Sequence, residues 1–236
     1  MAEMKILPAG DRALVADFGN VISEDVNRKV NALKKTLLAE KVAGVREMIP
    51  TYRSLLVEYN PAVISMQELS RRIEATAIKW DGATAETEKK RVLEIPCCYG
   101  GKYGEDLAGL AELTGLSEQE IIDIHAGTEY RVYMLGFLPG FVYLGGMDER
   151  IAAPRLSSPR VSIPAGSVGI GGGQTGVYPM ASPGGWRLIG RTPVQFYDPA
   201  AENPVLCEAG DYIRFVPVPP GEYERLKKEG APWASL

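Results

Sequence analysis

The sequence predicts an α+β protein in two parts: a small α/β unit, then a larger region dominated by short strands that form a β-barrel or sandwich. Three observations carry this. The first 80 residues alternate strand-like runs with two amphipathic helical runs. Residues 81–90 (Asp-Gly-Ala-Thr-Ala-Glu-Thr-Glu-Lys-Lys) are polar and aperiodic, as a connection between domains is. From Glu129 onward, glycine and proline punctuate short apolar runs. The expected organisation is therefore 1–80, an α/β domain; 81–90, a linker; and 91–236, a barrel or sandwich domain.

In the first domain, Ala13–Phe18 reads as a strand. Ile22–Glu40 then places Val26, Val30, Leu33 and Leu37 at helical spacing, with Ser23 as N-cap and Gly44 as stop signal. Val45–Ile49 and Ser54–Tyr59 are strands on either side of Pro50. A second helix begins at Ser65, which forms a capping box with Glu68 and precedes the apolar face Met66, Leu69, Ile73 and Ala77. Strand, helix, two strands, helix is a split βαβ arrangement. In the second domain the run ending at Cys98 is a strand. Glu105–Thr114 and Glu118–Ala126 are short helices, the latter opened by Ser117 and Glu120. Tyr130–Leu135, Val168–Ile170, Trp186–Ile189, Val194–Tyr197 and Tyr212–Val216 are short strands, and Gly221–Lys228 is a terminal helical turn.

Composition narrows the function. Lys and Arg total 26 against 30 Asp and Glu, a net charge of -4, so charge gives no reason to expect nucleic acid or an anionic membrane as partner. No run approaches the roughly 20 apolar residues of a membrane helix, and Met1–Lys5 lacks a signal-peptide core. A cytoplasmic protein is expected. Cys97 and Cys98 are adjacent and Cys207 stands apart, which makes no disulfide framework and no cysteine-only zinc spacing. With His125 the sole histidine, a metal site built on two imidazoles is excluded, and no metal ligands are assigned.

Two segments are too unusual for generic turns: Gly136-Phe-Leu-Pro-Gly-Phe-Val-Tyr-Leu-Gly-Gly146, and the stretch from Pro154-Arg155 to Pro193. The second contains Pro159-Arg160, Ile163-Pro-Ala-Gly-Ser-Val-Gly-Ile-Gly-Gly-Gly-Gln-Thr-Gly-Val-Tyr-Pro179, Gly185-Trp186 and Gly190-Arg-Thr-Pro193. Gly171–Gly176 formally matches G-x-G-x-x-G. A dinucleotide fingerprint needs a helix after it, and Val177-Tyr-Pro179 begins none. No Gly-Lys-Ser/Thr follows, so a Walker A loop is excluded too. Two readings of Gly171, Gly172, Gly173, Gln174 and Thr175 remain: an anion-binding nest of successive N–H groups, or a tight barrel loop where only glycine fits.

With these motifs and the early Gly10-Asp11-Arg12-Ala13-Leu14, the sequence resembles the KipI/PxpB family, whose members include the B component of bacterial 5-oxoprolinase and the first component of allophanate hydrolase. The resemblance spans nearly the whole chain. It implies a C-terminal cyclophilin-like barrel, partner subunits of the KipA/PxpC and PxpA types, and a reaction in which 5-oxoproline is cleaved to glutamate with ATP hydrolysis. ATP enters as co-substrate with Mg, held by this chain or by a partner, and no tightly bound cofactor is implied. Two alternatives stay open: inhibition of a sensor histidine kinase, as KipI-type members perform, and a role in allophanate hydrolase. Peptidyl-prolyl isomerisation ranks last, since fold alone confers no function and the cyclophilin catalytic signature is not recognisable here.

Amide resonance, visible in a rotation barrier of roughly 18–20 kcal/mol, makes a lactam a poor electrophile. A site that activates it by phosphorylation needs phosphate donors, a clamp for the substrate carboxylate and a base for water. Arg155, Arg160 and Arg191 lie among prolines and glycines and offer planar forks for carboxylate or phosphate, or pair with nearby acids as surface arginines do. His125 either ends its helix as a structural imidazole or serves in general acid–base catalysis. It matches a family histidine just upstream of Gly136. Phe137, Pro139, Phe141, Tyr143, Tyr178 and Trp186 wall a pocket or interface, or fill the barrel. No one of these groups is a complete site, so an active site shared with a partner is expected.

Overall fold

The computed structural model describes residues 4–78 and 90–230. The expected linker 81–90 therefore lies, except for Lys90, outside the described residues. The chain divides into two compact units, Met1–Lys89 and Lys90–Leu236.

The first unit contains β1 (Lys5–Pro8), β2 (Ala13–Asp17), α1 (Glu24–Glu40), β3 (Val45–Pro50), β4 (Ser54–Tyr59) and α2 (Met66–Ile78). The sheet runs β1-β2-β4-β3 with every neighbour antiparallel. β2 and β3 are thus parallel to each other with β4 inserted between them, which is the split βαβ expected. Alternation in β2 and β4 sends Leu14, Ala16, Leu55 and Val57 into a core shared with Val30, Leu33 and Leu37 of α1 and Leu69 and Ile73 of α2. Ser23 caps α1 through its hydroxyl, which accepts from the Val26 N–H at 3.2 Å.

Details differ from expectation. The left-handed cap of α1 is Lys41 (φ 46), whose N–H reaches Leu38 O. Gly44 (φ 90) sits three residues on, where a Cβ would strike Ile64 at 2.7 Å. β1 carries Pro8 and is mostly exposed, so it gave no periodic signal. Asn27 and Asn31 lie buried on the core side of α1. The Asn27 amide donates to Thr51 O, and Asn31 donates to Asn27 O and Oδ1, so both are satisfied.

The second unit is built on a closed barrel. Its strands are β5 (Val92–Tyr99), β6 (Glu129–Leu135), β7 (Val142–Gly145), β9 (Ser167–Gly171), β10 (Gln174–Val177), β12 (Arg187–Arg191) and β13 (Tyr212–Pro217), in the order β10-β7-β6-β13-β5-β12-β9. β8 (Arg160–Ile163) and β11 (Ser182–Gly184) form a separate ribbon. Pairing is antiparallel except between β5 and β13, which run parallel. Inward residues such as Ile95, Val132, Leu144, Ile170, Ile213 and Phe215 fill the interior, and Leu107, Leu110 and Ile121 from α3 (Leu107–Thr114) and α4 (Glu118–Ala126) join the same core. The capping box of α4 is complete. Asp106 precedes α3 without capping it, because its carboxylate accepts from the Leu188 N–H at 2.6 Å and from Arg160 at 2.7 Å. α5 (Pro220–Glu229) closes the described chain.

The glycine run is not an open loop. Gly171 ends β9, Gly172 (φ 66) and Gly173 make the turn, and Gln174 begins β10. Val194–Tyr197, expected as a strand, is irregular apart from a bridge between Tyr197 and Val205. Its apolar signal comes from Phe196, a fully buried core side chain.

Candidate functional site

The structure distributes the expected site residues over three places. The first is the barrel interior. α4 delivers His125 there at its last turn, where the ring is 0 % exposed and lies 4.6 Å from the Phe215 ring and 5.2 Å from that of Tyr130. Tyr99 and Thr175 flank it, Tyr99 Oη at 2.7 Å from Nδ1 and Thr175 Oγ1 at 2.9 Å from Nε2. One tautomer satisfies both ring nitrogens and the Gly169 carbonyl together. The Thr175 hydroxyl hydrogen goes to Gly169 O at 3.1 Å, so Oγ1 accepts from Nε2–H, and Nδ1 accepts from the Tyr99 O–H. Tyr130 Oη donates to the carbonyl of His125 itself. Every polar atom of the ring is paired in its neutral form, and burial pushes the imidazole down to about 3. The same burial pushes the thiols of Cys97 and Cys207 up, and all three cysteines are free and buried.

The second place is an aromatic cluster outside the barrel. Phe141, Tyr178 and Trp186 are buried and meet edge-on, with centroids 5.4 to 6.3 Å apart, and Tyr143 joins at 4.9 Å from Phe141. Gly171 lies beneath Trp186, where a Cβ would fall 2.4 Å from the indole. Close approach of the ring is thus why glycine stands there. The Arg155 guanidinium lies 5.9 Å above the same indole. The loop from Gly136 to Phe141 is closed on itself by Gly136 N–H to Phe141 O and Phe141 N–H to Leu138 O. It holds Phe137 at φ 67, a left-handed conformation that a bulky residue adopts only under constraint, with the residue 60 % exposed beside Phe141. Pro139 next to it is exposed.

The third place is the outer end of β12. Arg191 stands half-buried there. Arg160, by contrast, is held away by Asp106 and by Glu105, whose carboxylate is 3.0 Å from Nε. Gly172 is likewise engaged, since its N–H donates to Ala153 O at 2.8 Å and its carbonyl accepts from the Ala153 N–H. The structure brings His125 to Thr175, and Arg155 to Trp186. Arg155 and Arg160 both lie within electrostatic reach of Tyr178, in the cluster where Trp186 covers Gly171, whereas Arg191 ends β12.

Tyr99 and Ser167 were not singled out from the sequence. Tyr99 had a legible signal: it continues the inward alternation Leu93, Ile95, Cys97, which aims a hydroxyl into an apolar core. Ser167 had none.

The chain thus holds a split βαβ unit and a unit built on a closed seven-stranded barrel. The family model described as carboxyltransferase domain, subdomain C and D, matches residues 4–207, and the chain belongs to that family. Among curated relatives it is 46 % identical over 228 residues to the B component of 5-oxoprolinase from Bacillus subtilis (strain 168), covering 93 % of this chain and 95 % of that one. It is 40 % identical to the protein of the same name from Escherichia coli O157:H7, over 88 % of this chain and 93 % of that one. The crystal structure of TTHA0988 superposes with a TM-score of 0.76 at 38 % identity, covering 88 % of this chain. The chain spans 40 % of that longer protein. No helix among the described residues is long and apolar enough to cross a membrane.

Proposed function

We propose that the chain is the B component of a cytoplasmic, heteromeric 5-oxoprolinase that opens 5-oxo-L-proline to L-glutamate with ATP hydrolysis. The observation that carries this reading is the end-to-end likeness, at 46 % identity, to a protein named as that component. ATP, with Mg, is the co-substrate, and subunits of the KipA/PxpC and PxpA types complete the assembly. The geometry supports a shared active site. His125 is buried with both ring nitrogens already paired, so it braces the barrel instead of carrying a proton, and the buried thiols are held protonated. What this chain offers outward is recognition: the Arg155–Trp186 stack, the Phe137 loop and Arg191. The reacting groups then come from partners. Residues 81–90 join the two domains, and the exposed Phe137 and Pro139 belong to the contact with a partner.

The test is reconstitution. Co-expressed with the two partner subunits, the chain should support ADP release that depends on 5-oxoproline, and the purified chain alone should support none. Turnover by the verified-pure chain defeats the shared site. An intact assembly inert towards 5-oxoproline defeats the substrate. Binding of a sensor kinase without lactam would then favour the regulatory reading.

A further inference from the structure

Three residues form a row across adjacent strands on the outer side of the barrel. Arg191 of β12 is the register partner of Ser167 on β9 and of Cys98 on β5. Such partners share a face, with Cβ atoms about 4.5–5.5 Å apart. The face is the outer one, because the intervening Val168 and Ile170 of β9 point into the core.

Two donors in this row are unmet. Ser167 is 0 % exposed and its Oγ has no hydrogen-bond partner, and the buried Nε of Arg191 has none either. Arg191 has no acid partner among the described residues, whereas Arg160, although its Nη1 is also unmatched, is paired with Asp106 and Glu105. Gly166 (φ 79) makes room for this, since a Cβ there would lie 2.3 Å from Thr192 O and 3.5 Å from Cγ of Arg191. Buried polar groups in native proteins are nearly always paired, and a charged donor left open beside a buried hydroxyl marks a place where a ligand supplies the acceptor.

We propose that Arg191 and Ser167 form a recognition site for a single carboxylate, that of a small monoanionic substrate. The charge decides the class. One guanidinium matches one negative charge, and the neighbouring ammonium, Lys102, is already paired with Glu224. A triphosphate needs several cations or a metal. Approached along its Nε edge, the guanidinium presents two parallel N–H donors to the two carboxylate oxygens, and the Ser167 hydroxyl supplies a third. The identity of the ligand as 5-oxoproline rests on the 5-oxoprolinase reading, but the site does not. An acidic side chain of a partner protein has the same chemistry, so the test separates the two sources.

The full chain is titrated with 5-oxo-L-proline, acetate and inorganic phosphate, by calorimetry and thermal shift. Wild type should bind both carboxylates in preference to phosphate. Arg191→Met should weaken that binding by roughly 10- to 100-fold and Ser167→Ala by about tenfold, as expected for losing a charged and a neutral donor. Without ligand, Arg191→Met should melt at or above the wild-type temperature, because it removes an unmet donor. A ligand-free melting temperature several degrees lower would make Arg191 structural and overturn the proposal, as would unchanged binding in both variants or a preference for phosphate. Acetate binding with no response to 5-oxoproline would keep the site and overturn the assigned substrate. No binding of either carboxylate, together with failure of Arg191→Met to assemble with partners, would move the carboxylate to a partner and overturn the substrate site.

Discussion

The barrel carries one polar row inside and one outside, and they are built on opposite terms. Inside, Tyr99, His125 and Thr175 pass hydrogen bonds in one direction to the carbonyl of Gly169, with every donor and acceptor of the imidazole matched. Outside, Ser167 and Arg191 sit side by side with their donors open. A closed network rigidifies a fold and has nothing left to offer a ligand; an open one weakens the fold and has a function only when something binds. Chemical reactivity by residue type would have favoured the histidine. Satisfaction of hydrogen-bonding capacity favours the arginine.

That contrast can be broken most directly at its inner end. His125→Ala empties an aromatic-walled space and strands the Tyr99 and Thr175 hydroxyls. It should cost about 3–5 kcal/mol of unfolding free energy in urea titrations, while any variant molecules that still fold keep their carboxylate affinity. A small stability loss coupled to lost turnover in the assembled enzyme would reverse the roles of the two rows.

The pH dependence sharpens the same point. The unfolded chain takes up a proton on His125 near its ordinary pKa of 6.5, and the folded chain only near 3. The stabilisation from the neutral ring is therefore complete above pH 6.5 and is lost as the pH falls towards 3, with a slope of about 1.4 kcal/mol per pH unit. Carboxylates such as Asp148, held down to about 2 by Arg150, add to acid unfolding lower in the range. Equilibrium unfolding from pH 7 to 5 should show the histidine slope in wild type and lose it in His125→Gln.

The smallest expected effect is at the turn. Gly172→Ala puts a Cβ at φ 66 in open space, so it should cost roughly 1–2 kcal/mol from backbone conformation alone. Carboxylate affinity should not change. Lost phosphate or nucleotide binding at unchanged stability would restore the hairpin turn as an anion nest.

Local patterns made much of the fold legible. Alternation and capping placed β2, α1, β3, β4, α2, β5, α3 and α4 within a few residues; the glycine–proline punctuation after Glu129 pointed to a barrel or sandwich, and the family resemblance to the barrel. The strands that escaped are those whose stability is entirely tertiary. β10 reads Gln-Thr-Gly-Val, with no alternation to see, and it is a strand because Thr175 meets His125 and Gly176 packs where Val142 O leaves no room for a Cβ. The buried Asn27 and Asn31 escaped for the same reason: their partners are supplied by folding, not by spacing. At the candidate site, His125 and Arg191 were visible as residue types worth weighing. Which was satisfied and which was open depended on cross-strand neighbours 24 and more positions away.

The parallel pairing of β5 with β13 has a consequence for how the molecule comes into being. Val92 lies against Tyr212 and Cys97 against Pro217, so the first barrel strand must wait for the last. During synthesis at roughly 5–20 residues per second, the emerging β5 spends several seconds without one of its two neighbours. Loop-closure entropy makes such a distant contact slow to form. The second unit is therefore expected to fold late and as a whole, only once residue 217 has left the ribosome.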